Sequence, residues 1–288
     1  VLTTKFLHTE QFAGGALAIA NHLAGFCRSV DLVTSLGAKE SGEKFIRGAL
    51  KSNIRPTFFY RDDGQTILKR RFVSPDYLTK MFEICYLPDG KISREVDGKA
   101  CAHLQKRLKG YDLVMVADFG HEFVTEGMIR VICKESRFLA VNTQTNSANI
   151  GYNLITKYPR ADYICINEPE IRLATSDRDG RLEDLTAKIE RKLKCRNIIT
   201  TCGPRGCLVY ARGENFHRIP AFSPHVVDRV GASDSFYSVS APCVASGMNM
   251  DMVGLVGNAV AGIKVGTVGN KFSVDYVQLA KFLKALLA

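Results

Sequence analysis

The sequence predicts an α/β fold built on a mostly parallel central sheet covered by helices on both faces. Two observations carry this. From about residue 100 short, continuously apolar runs alternate with helical patterns, as buried parallel strands do. Polar residues then gather where those runs end, at Asp118, Asn142 with Gln144, Asn167 with Glu168 and Glu170, and Thr201 with Gly203. Ligands of such sheets bind at the carboxyl ends of the strands.

The strand candidates are Leu113–Ala117, Phe138–Val141, Tyr163–Ile166, Ile198–Thr201 and Leu208–Tyr210. Leu182, Leu185, Ile189 and Leu193 draw an apolar stripe along one intervening helix. The basic cluster Arg191–Arg196 closes that helix, where cations complement the dipole. Before residue 100 the pattern is mixed. Val1–Leu7 reads as extended, Gly14–Ala24 as a helix opening on two glycines, and Asp31–Leu36 as a buried strand ending at Gly37. Thr57–Tyr60 and Thr66–Val73 flank the turn signal Asp62-Asp63-Gly64 and read as a hairpin, with Met81–Leu87 as a further strand stopped by Pro88-Asp89-Gly90.

Composition narrows the function classes. At 46% hydrophobic and 24% charged residues the chain is globular rather than disordered, and no apolar run reaches eighteen residues, so no membrane partner is expected. The first residues show neither an initiator Met nor a signal-peptide pattern, and the chain is read as part of a longer protein. Nine cysteines, an odd number without a C-x-x-C pair, favour buried thiols and a cytoplasmic location over a disulfide frame. Cys202 and Cys207 have the wrong spacing for a zinc knuckle. The net charge of +10 suits either nucleic acid or an anionic small molecule. The charges are scattered without interleaved aromatics, which favours the small molecule, and no nucleic-acid partner is expected. Neither G-x-G-x-x-G nor G-x-x-x-x-G-K-[ST] occurs, which removes the dinucleotide and P-loop classes.

The strongest local signal is Val227–Phe236. Small residues lead there into a helix, whose first N–H groups are unpaired and favour an anion. Gly231, Ala232 and Ser233 would cradle a phosphoryl group, and Asp234 at its mouth would take the proton of an attacking hydroxyl. On this segment alone, capping of a structural helix is the commoner role for such residues.

Gly231-Ala232-Ser233-Asp234 resembles the Gly-Ala-Gly-Asp signature of the ribokinase-like (PfkB) carbohydrate kinases. Asp228, Gly231, Ala232, Asp234 and Phe236 match the wider pattern Asp-Thr-x-Gly-Ala-Gly-Asp-x-Phe; Arg229 and Ser233 depart from it. Five more segments resemble family motifs in the family's order. Gly14-Gly15 looks like the glycine pair of the sugar pocket. Asp118-Phe119-Gly120 looks like the Asp-Tyr-x-Lys-Gly stretch of the heptose-phosphate kinase branch, and would make Asp118 substrate-binding. Asn167–Glu170 is similar to Asn-x-x-Glu, associated with magnesium and phosphate, so that Glu170 would act on the metal through water. Thr201, Gly203 and Gly206 resemble Thr-x-Gly-x-x-Gly at the nucleotide, and Gly257–Gly262, with Asn258 and Gly262, resembles the helix that walls the adenine.

The resemblance covers almost the whole chain. It implies a three-layer sandwich with a small β lid (about residues 1–13 and 54–90), one kinase domain over residues 1–288 lacking the family's first strand, and ATP with Mg2+ as cofactors. The acceptor would be a sugar or a sugar phosphate, with a heptose phosphate the leading choice. It further implies a monovalent cation beside the anion hole, with Asp228 at the matching place, a homodimer through the lid, and a fused nucleotidyltransferase domain outside the chain. The departures gather on the acceptor side. Ala18 stands where the family has Asn, with Asn21 and His22 as substitutes or as plain helix residues, and His121 stands where the heptose-phosphate branch has Lys. The rival reading is a catalytically degenerate module that binds nucleotide or sugar.

Overall fold

Apolar residues at every position of a short strand demand cover on both faces, and the sheet that results fixes the rest of the molecule. The computed structural model describes residues 3–74, 79–88, 90–146, 149–222 and 226–287. Strands β5 (Val114–Asp118), β6 (Leu139–Thr143), β7 (Tyr163–Asn167) and β8 (Asn197–Thr201) pair in parallel, and β9 (Cys207–Ala211) and β10 (His217–Ile219) complete the sheet antiparallel, in the order β10-β9-β8-β7-β6-β5. The five strands expected from the sequence are all present. The sixth, β10, is only three residues long and carries no apolar run.

Alternate residues of each strand feed two separate cores. Val116, Val141, Ile164 and Ile198 pack on one face against helices α3 (Arg94–Arg107), α4 (Glu126–Glu135), α5 (Glu168–Thr175) and α6 (Leu182–Leu193). Ala140, Tyr163, Cys165 and Ile199 pack on the other against α1 (Ala16–Leu23), α7 (Ala232–Ala245) and α8 (Met250–Val265). Helix α9 (Tyr276–Leu287) covers α8 through Leu279. This is the expected three-layer arrangement. Each large apolar side chain so buried contributes on the order of 1.5–3 kcal/mol. No described helix is long and apolar enough to cross a membrane.

The first hundred residues correct the reading in two places. Strands β1 (Val30–Lys39) and β2 (Ile54–Gln65) form a separate parallel pair, running from Val30 opposite Ile54 to Gly37 opposite Arg61, and α2 (Glu43–Ala49) is their crossover. Strand β2 continues past Asp62-Asp63-Gly64, which bulge out of register opposite Ala38, between the pairs Gly37–Arg61 and Lys39–Gln65, so the chain does not reverse there. Arg61 grips Asp63 with two hydrogen bonds of 2.7 and 2.6 Å, and Thr66 Oγ1 accepts from the Gly37 N–H at 3.0 Å, which keeps the segment extended beside β1. The hairpin is instead β3 (Leu68–Ser74) with β4 (Thr79–Tyr86), a two-stranded antiparallel sheet; its turn, like Asp89 of the expected stop signal, lies outside the described residues. Residues 3–14 form no regular element and Thr3 to Gln11 are exposed, so the extended reading of Val1–Leu7 gives no strand over its described part.

Candidate active site

The site forms where the carboxyl ends of β6, β7 and β8 meet the amino end of α7. Gly231 is the residue that starts α7, with φ 79 and ψ 4, a conformation open to glycine. A Cβ there would stand 2.4 Å from Asn270 Oδ1. Ala232, Ser233 and Asp234 make up the first turn, whose amides lack intrahelical acceptors; that of Ala232 only leans on the Arg229 carbonyl at 3.3 Å. Ser233 is exposed and faces the cleft.

Asp234 is half-buried, and its Oδ1 accepts from Gln144 Nε2 at 2.5 Å. Burial pushes its pKa up to about 6, against the Gln144 hydrogen bond and the nearby charges of Lys264 and Lys69. Gln144 is itself held through its backbone, its N–H donating to Asp118 O at 2.8 Å and its carbonyl accepting from Asn153 at 3.1 Å. Across the cleft, Asn167 caps α5 in a reciprocal box: Asn167 Oδ1 accepts from Glu170 N at 2.9 Å, and Glu170 Oε2 accepts from Asn167 N at 2.8 Å. Glu170 Oε1 accepts from Thr145 N at 3.0 Å. Burial, with a smaller push from the charge of Asp234, raises Glu170 to about 7 against these hydrogen bonds.

Asn142, Gln144, Thr145, Asn167, Glu170 and Thr201 enclose a cavity of about 70 Å³ with Ser233. Asn142 Oδ1 and Thr145 Oγ1 are buried there without a hydrogen-bond partner among the described residues. Buried orphan oxygens call for a ligand or water. Together with the Glu170 carboxylate they make an all-oxygen set, which suits magnesium held largely through its own waters. Among the described residues no cluster of three or more His, Cys, Asp or Glu is placed to chelate a metal directly.

The structure therefore brings Gly231, Ala232, Ser233, Asp234, Asn167, Glu170 and Thr201 to one place. Asp228 lies close by on the loop before α7. Burial alone would raise its pKa, but the bonds from Lys80 Nζ (2.8 Å) and the N–H groups of Gly269 (2.9 Å) and Val230 (3.1 Å) hold it below the ordinary range. Lys80 belongs to β4 and Lys69 to β3, so the hairpin leans over this end of the sheet with two cations.

Other expected residues sit elsewhere. Gly203 (φ 58) is exposed at the β8–β9 turn with open space around it. Gly206 (φ 79) packs on backbone, a Cβ there standing 1.9 Å from Ile219 O. Asn258 spends its amide on the carbonyls of Ile219 (3.0 Å) and Pro220 (2.9 Å), and Gly262 faces Phe222 O. These three shape the 219–222 segment. Asp118 is 3% exposed, its carboxylate bound by Lys157 Nζ and Tyr158 OH, both at 2.6 Å. Gly14 is exposed and Gly15 (φ 55) lies against the Phe119 ring.

Beside them a second cavity, of about 260 Å³, opens between α1, α2 and residues 270–273. Asn21 and His22 line it with Ala18, yet both also bind backbone: Asn21 holds Ala49 O (2.8 Å) and Lys51 N (3.0 Å), and His22 Nδ1 accepts from Val274 N at 3.1 Å. Burial, then Lys264 and Lys51, lowers His22 to about 4; burial, then Lys69, lowers His121 to about 4. Asn270 and Lys264 were not anticipated. Asn270 joins the second cavity to Gly231. The sequence signal for Lys264 is a lone cation in a helix that after Asp251 otherwise holds small and apolar residues and Asn258.

A model of pfkB family carbohydrate kinases matches residues 5–275. "Bifunctional protein HldE" of Nitratiruptor sp. is 23% identical over 263 residues, which are 90% of this chain and 54% of that protein. The chain thus spans about half the length of the curated relatives it matches. Among solved structures, phosphofructokinase-2 from Escherichia coli in complex with potassium superposes with a TM-score of 0.78 at 13% identity, covering 95% of this chain and 87% of that one. Ribokinase from Thermotoga maritima gives 0.74 at 20% identity, covering 98% and 91%. The fold is ribokinase-like.

Proposed function

The chain belongs to the pfkB family of carbohydrate kinases, and on that premise we propose that it moves the γ-phosphoryl group of ATP onto a hydroxyl of a sugar or sugar phosphate with Asp234 as base. The observation that carries this reading is the state of Asp234. Its carboxylate accepts from an uncharged amide, is tuned to about 6, and stands in the first turn of a glycine-started helix. A structural cap would accept from a first-turn N–H and a degenerate binder would favour a carboxylate locked in an ion pair, and among the described residues Asp234 shows neither.

In the transfer, Asp234 takes the proton of the acceptor hydroxyl as its oxygen bonds the γ-phosphorus. The bond from that phosphorus to the β,γ-bridging oxygen breaks, and ADP leaves with the electron pair. The amides of Gly231 to Ser233 hold charge on the phosphoryl oxygens, aided by the α7 dipole. Magnesium, when bound with the nucleotide, supplies positive charge to the phosphates. Glu170, Asn142 Oδ1 and Thr145 Oγ1 would hold its waters. The β3–β4 hairpin, with Lys69 and Lys80 over the site, excludes water from the acceptor side.

A sugar phosphate is the favoured acceptor class, a heptose phosphate first. Support comes from the Asp118–Gly120 motif, the net charge of +10 and the lid cations. The exposed apolar side chains of the hairpin (Val73, Met81, Phe82 and Ile84) fit a lid-to-lid homodimer, which sedimentation or light scattering would measure.

The test is ATP-dependent transfer across a panel of sugars and sugar phosphates, for the wild type and Asp234→Asn. We expect one acceptor class to react and the variant to lose about 10³-fold or more, within the range for removing a proton acceptor. In the wild type, kcat/KM should rise with pH through about 6, because the base form of Asp234 accumulates above its pKa. The variant should keep or gain Tm. The folded-state pKa of Asp234 lies above its unfolded value, so its stabilisation is complete below about pH 4 and is lost as pH rises through about 6. Unchanged transfer in Asp234→Asn would sink the assignment of the base.

A further inference from the structure

A buried cation beside the start of α7 is unused by the transfer chemistry. Lys264, in the last turn of α8, is 1% exposed. Its ammonium donates to Val230 O at 3.1 Å, to Thr267 Oγ1 at 3.4 Å and to Gly269 O. An ammonium has three protons, and three acceptors surround this one. They come from two loops, the one that leads into Gly231 and the one that follows α8. The same loops are tied by Asp228, whose Oδ2 accepts from Gly269 N at 2.9 Å, and by Val227 N and Asp228 N, which both donate to Val265 O. A Cβ on Gly231 would come within 3.3 Å of Lys264 Cε, so the lysine chain runs directly beneath the start of α7.

We infer that Lys264 is a built-in cation of the anion hole, doing by a covalently tethered ammonium what an exchangeable monovalent ion would do there. Two facts point this way. The oxygens of the two loops around Asp228 that could face a monovalent ion already have partners: Val230 O and Gly269 O take Nζ of Lys264, and the two carboxylate oxygens of Asp228 take Lys80 Nζ and the N–H groups of Val230 and Gly269. The charge is also where it acts on the phosphoryl group, since Lys264 is felt electrostatically at both Asp228 and Asp234. Burial lowers its pKa and the two carboxylates oppose that shift, as for a cation retained by its counter-charges. Lys264 is a positioning residue: it touches no reacting atom, but it fixes Val230 and Gly269 and adds positive potential under the first-turn amides of α7.

The rate consequence rests on the kinase reading above; the stability consequence does not. Tm and transfer rate are measured for the wild type, Lys264→Met and Lys264→Ala, with KCl replacing tetramethylammonium chloride at constant ionic strength. The wild type should be flat in both readouts. Lys264→Met, which keeps the bulk and loses the charge, should lower transfer about 10²-fold, the scale of removing one charge-stabilising donor. Lys264→Ala, which leaves room for an ion, should recover roughly tenfold of its loss in KCl or ammonium chloride, with a parallel rise in Tm. A Tm of the wild type that climbs selectively with potassium overturns the inference, and so does a loss in Lys264→Ala that no small cation repairs. If neither variant folds, the wild-type comparison decides alone. Absence of transfer in every protein would count against the kinase reading and leave the Tm comparison standing.

Discussion

The central sheet and the β3–β4 hairpin are built from similar residues and end in opposite states. Leu139, Ala140 and Val141 of β6 are each 0% exposed, whereas Met81, Phe82 and Ile84 of β4 lie open to solvent. The difference is one of cover. Each face of the sheet has a helical layer, and among the described residues the hairpin has no layer of its own. The consequence is a division of labour. The residues proposed to handle the phosphoryl group hang from the ends of buried strands and from α7, so their geometry is fixed by packing. Among the described residues the hairpin bears on the same site through the long side chains of Lys69 and Lys80. An element with few buried contacts opens at low cost, which suits a part that must admit an acceptor and then exclude water.

The sharpest test of that contrast pairs Ile164→Ala in β7 with Phe82→Ala in β4. Ile164 is fully buried, and its truncation should cost about 2–5 kcal/mol by lost transfer energy and cavity formation. Phe82 is 45% exposed, with its main aromatic contact the Phe72 ring at 4.4 Å, and its truncation should cost about 1 kcal/mol. Denaturant melts of both variants measure this. A loss at Phe82 as large as that at Ile164 would mean that the hairpin is buried in solution, as a lid-to-lid dimer requires.

The same contrast explains what was legible in the sequence. Strands β5 to β9 were readable within two residues because continuous apolar runs encode burial on both faces locally. The hairpin partner was not readable. Strand β2 pairs with β1 across a crossover, and the turn signal at Asp62–Gly64 becomes a bulge held by Arg61 on Asp63 instead of a chain reversal, neither of which a local pattern states. In the site, the glycine start of α7 and the Asn167–Glu170 motif were legible because they are spelled within four residues, whereas the reciprocal cap that the motif forms on α5 was not read. Gly206 and Asn258 show the limit. A glycine or asparagine that lets two backbone segments meet looks the same in sequence as one that meets a ligand. Lys264 was missed because its acceptors Val230 and Gly269 lie in two separate loops.

A smaller effect separates two glycines of the rigid region. Gly231→Ala puts a Cβ 2.4 Å from Asn270 Oδ1 at a φ of 79, so the backbone must shift where the anion hole begins. Beyond the ~1–2 kcal/mol cost of a left-handed non-glycine residue, transfer should fall about 10- to 100-fold as the amides move off their target. Gly203→Ala, at φ 58 in open space, should show the conformational cost alone. Steady-state rates beside Tm for both variants make the comparison. Equal loss of rate would place Gly203, and the turn it forms, in direct contact with the nucleotide.

The smallest expected effect lies where the two regions touch. Lys80 Nζ meets Asp228 Oδ1 at 2.8 Å, with the lysine side chain 45% exposed and the aspartate 11%. An ion pair so open to solvent is worth a few tenths to about 1 kcal/mol and weakens with salt. Lys80→Ala should therefore barely move Tm. If the hairpin closes on the acceptor through this contact, the acceptor KM should rise several-fold while kcat holds, and the wild-type KM should drift toward the variant value as NaCl is added. A fall in kcat with KM unchanged would mean something else. Lys80 would then act through Asp228 on the loop it shares with Lys264, and the hairpin would belong to the phosphoryl-handling frame rather than to the acceptor side.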